Sequence, residues 1–375
     1  MGKHLVLVGG GHAHMTVLAG LGRFIARGRR ATLISTSPFH YYSGMGPGML
    51  SGIYRPQELR FHVKKMVEDR GGTFLKDRVT AVIPQRRTLQ LRSGKEVGYD
   101  VVSFNTGSEV PGDIVTDNPE CLFPVKPIEN LLKARAKVIE MAKRGGVDAA
   151  VIGGGAAGVE ISANLWRLIR DSGGEARISL IEGGSVLSGF SEKAQDVARN
   201  ILTGKGVTLI EGIRVRSVMK NGVHLGSGET IKSDIVFAAV GVKPSPIFAD
   251  SGLSTGPDGG LLVNRFLQCV DHPEIFGGGD CITIDGIPLR RVGVYAVRQN
   301  PVLYRNLHAA LAGDPLRPFD PGGPYLLILN MGDGRGIFWK GGVVFDGRLA
   351  FAVKDYIDRR FMKKFQVSGE LRQPV

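Results

Sequence analysis

Cysteine is scarce in this 375-residue chain. The three present, Cys121, Cys269 and Cys281, share no CxxC or CxxxxC spacing. That argues against a disulfide framework, a zinc knuckle or a redox-active cysteine pair, and no metal site is expected. No apolar run approaches the ~20 residues that span a bilayer. The N-terminus enters a strand-like run at once, without a basic segment and apolar core ahead of it. No secretory signal is therefore expected, and the expected compartment is the cytoplasm. Acidic residues are outnumbered, 35 Asp and Glu against 48 Lys and Arg, for a net charge of +13. Such an excess suits nucleic acid, an anionic membrane surface or anionic small ligands. No helix-turn-helix, RRM or zinc-finger pattern accompanies it, so no nucleic-acid partner is expected.

Glycine, by contrast, is abundant, with 54 residues and no collagen period. Many tight turns between strands and helices would use it this way. Residues 4–14 read HLVLVGGGHAH, an apolar β-forming run broken by Gly9-Gly10-Gly11, and helix-like spacing resumes at Met15. A buried strand turning through glycines into a helix is the start of a dinucleotide-binding βαβ unit. The first glycine makes the turn, the second lets a pyrophosphate approach, and the helix N-terminus faces the negative charge. Here the third glycine position is His14. Residues 149–160, AAVIGGGAAGVE, repeat the device with all three glycines, Gly153, Gly155 and Gly158.

The two copies continue alike. A helix is expected over 12–27 and a second strand over 30–35. That strand ends in Ser35, where an acid often holds a ribose. A Gly/Pro-rich loop over the cofactor is expected at 38–49, a helix at 56–71, and a buried strand at 99–108 that runs from Asp100 to Gly107. After a helix at 127–144 and the second glycine motif, a strand at 177–181 ends in Glu182, now with the acid. Asp234 to Gly241 then repeats the Asp100 to Gly107 pattern, which makes an internal repeat of two dinucleotide-binding units. The segment 273–281 ends in Gly-Gly-Gly-Asp280-Cys281. Helix-like spacing follows at 294–307 and a Pro/Gly-rich linker at 315–324. A small β element is expected from 325–330, 336–340 and 349–353, and a basic helix at 353–366. In that helix Val353, Ile357, Phe361 and Phe365 form an apolar stripe. The stripe either packs the small β element onto the first unit or touches an anionic membrane surface peripherally.

The order of these motifs resembles the flavoproteins with two dinucleotide-binding domains, the pyridine nucleotide-disulfide oxidoreductase superfamily. Within it the chain is similar to type II NADH dehydrogenases and sulfide:quinone reductases. It is most similar to the flavoprotein module found fused to selenide, water dikinase, through GGGHAH (9–14), YSGMGPG (42–48), YDVVSFNTGS (99–108), VYAVRQNPVLYRNL (294–307) and KDYIDRRFM (354–362). The resemblance implies an α/β fold of two Rossmann-like domains plus a small C-terminal α+β element. The FAD domain would comprise 1–112 and 241–318, the NAD domain 113–240 and the C-terminal domain 319–375.

It also implies FAD at Gly9, Gly11, His12, Ala13, Ser35, Gly107, Gly279, Asp280 and Ala296. NADH, rather than NADPH, would lie at Gly153, Gly155, Gly158 and Glu182. Glu160 matches the acid near the nicotinamide, and Gln299 faces the flavin or acceptor pocket; these two are the candidate catalytic residues. Each has a bland alternative, Glu160 as a helix-start acid and Gln299 as a helix-surface residue. Tyr41, Tyr42 and Tyr295 are candidate walls for a quinone-like acceptor. Lys126 either approaches the flavin or caps a turn. The expected activity is hydride transfer from NADH to FAD and on to a quinone, without a redox disulfide. The alternatives are sulfide oxidation through Cys121 and Cys281, and a non-catalytic nucleotide-binding partner in selenium metabolism.

Overall fold

A computed structural model describes residues 2–110 and 114–373. The expected domain junction between residues 112 and 113 lies outside them. Two five-stranded parallel sheets form the framework. The first runs in the order Ile275–Gly277, Val101–Phe104, His4–Val8, Arg30–Ser35, Thr73–Lys76. The second runs Leu122–Pro124, Ile235–Ala238, Val147–Ile152, Ala176–Glu182, Thr208–Glu211. Strand for strand, the two orders superimpose. The central strands His4–Val8 and Val147–Ile152 are buried along their whole length, as parallel sheets covered on both faces require.

The repeat read in the sequence has a physical basis at three points. Each Asp-led strand begins by hydrogen-bonding the start of its glycine-motif strand. The Asp100 carboxylate accepts from the His4 amide at 2.6 Å, and the Asp234 carboxylate from the Asp148 amide at 2.9 Å. The first glycine of each motif has a positive φ, +85° at Gly9 and +105° at Gly153. A Cβ at either would strike the carbonyl ending the Asp-led strand, at Asn105 and Ala239 respectively. The third positions differ. A Cβ at Gly158 would collide with the Gly153 carbonyl. In the first unit a 3-10 turn, His12–His14, replaces the opening of the helix. The His14 ring is wedged between the Gly9 carbonyl (2.7 Å) and the Ser103 hydroxyl (2.8 Å). The imidazole supplies by hydrogen bonding what glycine supplies by close approach.

Each sheet carries an antiparallel meander, over Val79–Ile83, Thr88–Leu91 and Glu96–Gly98 in the first unit. The second unit's meander is Val215–Met219, Gly222–Leu225 and Thr230–Ile231. A three-stranded antiparallel sheet (Leu327–Asn330, Gly336–Lys340, Val343–Gly347) and the helix Arg348–Phe365 close the chain.

Four local expectations are corrected. The helix expected over 12–27 is broken into His12–His14, Met15–Ala19 and Gly22–Ile25, the second piece ending at Gly20, whose ψ of 9° leaves the helical region and whose lack of a side chain admits the Tyr304 ring. The loop expected at 38–49 holds a short strand, His40–Tyr41, and a 3-10 turn, Ser43–Met45, and its end enters a buried helix, Gly46–Ser51. Its glycines are there for close packing: a Cβ on Gly46 would lie 3.1 Å from Ile128, and one on Gly48 2.6 Å from the Tyr54 ring. The stretch 56–71 is a 3-10 turn, a two-residue strand and the short helix Val63–Glu68. Residues 349–353 are helical, the last strand being Val343–Gly347. In that final helix the buried row is Ala350, Lys354, Asp358, Met362 and Phe365, while Ile357 is 42% exposed. The expected apolar stripe is therefore split between the core and the surface. No helix among the described residues is long and apolar enough to cross a membrane.

Candidate functional site

A cavity of about 540 Å3 opens at the second glycine motif. The 16-residue helix Ala156–Asp171 starts here from Gly155 with no side-chain cap, leaving its first amides for an anion. A Cβ on Gly155 would meet nothing within 4 Å, so the space beside it belongs to the cavity. Glu182, at the end of the adjacent strand, accepts from the Gly154 amide at 2.5 Å and from the Gly184 amide at 3.0 Å. These bonds fix the carboxylate at the cavity rim with lone pairs left for ribose hydroxyls. Arg214 lies over Gly183 at the same rim, and sequence spacing gave no sign of it.

A second cavity, about 600 Å3, is lined by Gly279, Asp280, Tyr295, Ala296 and Gln299. Asp280 carries the most organised chemistry there. Its carboxylate accepts from Lys126 at 2.8 Å and from the Ser108 hydroxyl at 2.9 Å, and Lys126 also reaches Ser108 at 3.2 Å. Lys126 is thus a partner of the flavin-binding aspartate candidate rather than a turn cap. Gln299 is 2% exposed, and its side-chain carbonyl accepts from the Gly279 amide at 2.7 Å. It holds the Gly-Gly-Gly-Asp turn, so the helix-surface alternative is corrected. The 20-residue helix Gly293–Ala312 begins at this wall, again without a side-chain cap.

The remaining residues expected at the first glycine turn divide by exposure. Ala13 is fully buried and its amide is spent on the Asn105 side chain at 2.9 Å, so it braces the turn and presents no donor. His12 faces His40, with ring nitrogens 3.3 Å apart. Burial, and then the Lys126 ammonium, push the His12 pKa down to about 4, so it is neutral at pH 7. Burial, His12 and Lys126 likewise lower His40. Ser35 is half-buried at its strand end, and Gly107, at φ +74°, has open space around it. An uncapped helix start and a glycine-lined turn offer amide donors, and Asp280 an acceptor for hydroxyl groups, at the wall of a 600 Å3 cavity, an arrangement that fits FAD.

Glu160 does not line the nucleotide cavity. Its carboxylate accepts from the Asn330 amide at 2.8 Å, in the C-terminal sheet. Burial raises its pKa to about 7, with Asp358 adding to the rise and Lys354 and the Asn330 amide opposing it. Lys354 and Asp358 form a buried ion pair of 2.9 Å on the last helix, and Lys354 also donates to the Gly44 carbonyl at 2.8 Å. Burial works against the Lys354 charge, yet Asp358 and Glu160 keep its pKa raised. The Tyr42 hydroxyl donates to Asp358 at 3.0 Å, and the Tyr42 ring lies 5.2 Å from His12. Burial and Asp358 raise the Tyr42 pKa, so the phenol keeps its proton. The result is an acid–base cluster drawn from three parts of the chain. Lys354 and Asp358 were read as members of a basic helix and of the 354–362 signature, without a role in the site, because four-residue spacing does not reveal which face is buried.

Both cysteines considered for sulfide chemistry are buried thiols. Cys121 packs with Ala150, Ile152 and Val218 in a core of the second unit, and Cys281 donates towards the Gly278 carbonyl at 3.4 Å. Burial raises the pKa of each. Neither lines either cavity.

Comparison with known proteins agrees with this architecture. The chain is 27% identical to ferroptosis suppressor protein 1 of Taeniopygia guttata over 316 residues, 80% of each protein. It is 24% identical to the alternative NAD(P)H-ubiquinone oxidoreductase C1 of Arabidopsis thaliana over 330 residues, 77% of this chain and 63% of the relative. The sulfide:quinone oxidoreductase of Aquifex aeolicus superimposes with a TM-score of 0.80 at 18% identity, covering 99% of this chain and 93% of that one. Residues 3–306 match the family Pyridine nucleotide-disulphide oxidoreductase, and the chain belongs to that family.

Proposed function

We propose that the protein is an FAD-dependent NADH:quinone oxidoreductase. The observation that carries the proposal is the pairing of two dinucleotide-binding units with a buried acid–base cluster and, among the described residues, no cysteine at either cavity. The names of the relatives, an NAD(P)H-ubiquinone oxidoreductase and a sulfide:quinone oxidoreductase, support a quinone as acceptor. FAD, when bound, would supply the two-electron redox chemistry between NADH and the quinone. Gly9, Gly11, Asp280 and Ala296 would hold it, with Lys126 offsetting the Asp280 charge and Gln299 fixing the turn. Gly153, Gly155, Gly158 and Glu182 would hold NADH.

The reaction NADH + H+ + quinone → NAD+ + quinol takes up one proton. Glu160, with a pKa near 7, is suited to store it, since a general acid works best near the operating pH. Lys354 would hold positive charge beside the forming quinol oxygen, and Tyr42 would orient Asp358. His12 and His40, uncharged, would line the site without competing for the proton.

We also propose the division into an FAD domain (1–112, 241–318), an NAD domain (113–240) and a C-terminal element (319–375), which the strand orders support. The motifs at 9–14, 42–48, 99–108, 294–307 and 354–362 support a similarity to the module found fused to selenide, water dikinase. Exposed Leu349, Tyr356 and Ile357, beside Arg360, support peripheral contact of the last helix with an anionic membrane. The test of function is steady-state oxidation of NADH with a soluble quinone by the FAD-loaded protein. Turnover with NADH supports it; turnover with sulfide alone overturns it.

A further inference from the structure

Arg290 joins the two cavities. Among the described residues it alone lines both. It belongs to the segment between the strand Ile282–Ile284 and the helix Gly293–Ala312 of the first unit. Its two terminal nitrogens reach across to the second unit and donate to the Gly189 carbonyl, at 3.2 and 3.3 Å. Its guanidinium carbon lies 6.0 Å from the centre of the Phe190 ring. A Cβ on Gly189 would sit 2.9 Å from one of those nitrogens, so glycine there allows the approach.

The two neighbouring arginines contrast. Arg291 is committed, paired with Asp258 at 2.6 Å and donating to the Asp280 carbonyl at 2.8 Å. Arg290 is exposed and has no carboxylate partner among the described residues. Its long bonds to one neutral carbonyl use only part of a five-donor fork. Phosphate oxygens are far stronger acceptors for that fork, and bidentate geometry suits them.

We propose that Arg290 clamps the diphosphate of the reduced nicotinamide dinucleotide where it passes from the adenosine cavity to the flavin cavity. This rests on the NADH reading above. The adenosine-side phosphate lies on the uncapped helix start at Gly155. The nicotinamide-side phosphate takes the guanidinium, which exchanges the Gly189 carbonyl for a charged acceptor. The same contact holds the two units together around the nucleotide.

The test is calorimetric binding of ADP-ribose and of AMP to the FAD-loaded protein, native, R290A and R290K. ADP-ribose carries the diphosphate and AMP only the adenosine-side phosphate. Retained flavin absorbance and an unchanged melting temperature establish that the variants fold. The expected result is ADP-ribose binding about tenfold weaker in R290A, intermediate in R290K, and AMP binding within about twofold of native. Equal weakening of both ligands would assign Arg290 to adenine or to general attraction and overturn the proposal, as would no change in either. Failure of the native protein to bind ADP-ribose would overturn the NADH reading itself.

Discussion

Replacing Glu160 by Gln removes one ionisation from a buried cluster while keeping an acceptor for the Asn330 amide. The native carboxyl has its pKa raised from 4.5 to about 7. Between those values the folded protein holds a proton that the unfolded chain has released. Stability from this group is therefore fully present below pH 4.5, falls as pH rises, and is lost above about 7. At ~1.36 kcal/mol per pKa unit, that interval is worth ~3 kcal/mol, and because the Glu160 residue itself is only half-buried at the cluster's edge, screening reduces this to ~1–2 kcal/mol. E160Q has no such loss. Urea unfolding of both proteins at pH 5 and pH 8 should show the variant gaining ~1–2 kcal/mol on the native protein between the two. Quinone reduction, isolated from the NADH step, should decline in the native protein as pH rises through about 7 and lose that limb in E160Q. An unchanged stability difference at the two pH values, or a native limb that persists in E160Q, would refute the assignment.

The glycines of the second motif should separate folding from binding. G155A adds a methyl to open space, so its melting temperature should match native while NADH binding weakens by tenfold or more. In G158A the methyl meets the Gly153 carbonyl, and thermal unfolding should show a loss of ~1–3 kcal/mol. E182A should reduce the preference for NADH over NADPH at least tenfold in flavin-reduction kinetics. The substitution removes the carboxylate proposed to accept the ribose hydroxyls and leaves Arg214 at the same rim, where it would favour a 2′-phosphate. K126M leaves Asp280 with Ser108 alone, and dialysis should show faster loss of FAD than from the native protein.

The sequence was most legible where the structure is local. Turning a strand into a helix at Gly9 or Gly153 needs a positive φ within a few residues, and the Asp100 and Asp234 patterns reflect a fixed contact with the start of the neighbouring strand. Relations of packing were hidden. Gly46 and Gly48 read as loop residues, yet they let a buried helix approach Ile128 and Tyr54. The split of the last helix into a buried Lys354–Asp358 row and an exposed Ile357 depends on its docking angle, which no periodicity records. Lys126 and Asp280, or Arg290 and Gly189, are over a hundred residues apart and meet only when the two units close. Glu160 was singled out by its motif, but its surroundings come from the C-terminal sheet, so its neighbours could not be read from the motif.

The central claim is that electrons pass from NADH through bound FAD to a quinone. Anaerobic rapid mixing of the yellow protein with NADH, followed by a second mixing with a soluble quinone, tests it directly. The account predicts loss of the flavin band near ~450 nm on the first mixing and its return on the second, with one quinol formed per FAD. A band that NADH leaves unchanged, or that NADH removes and quinone fails to restore, would contradict it.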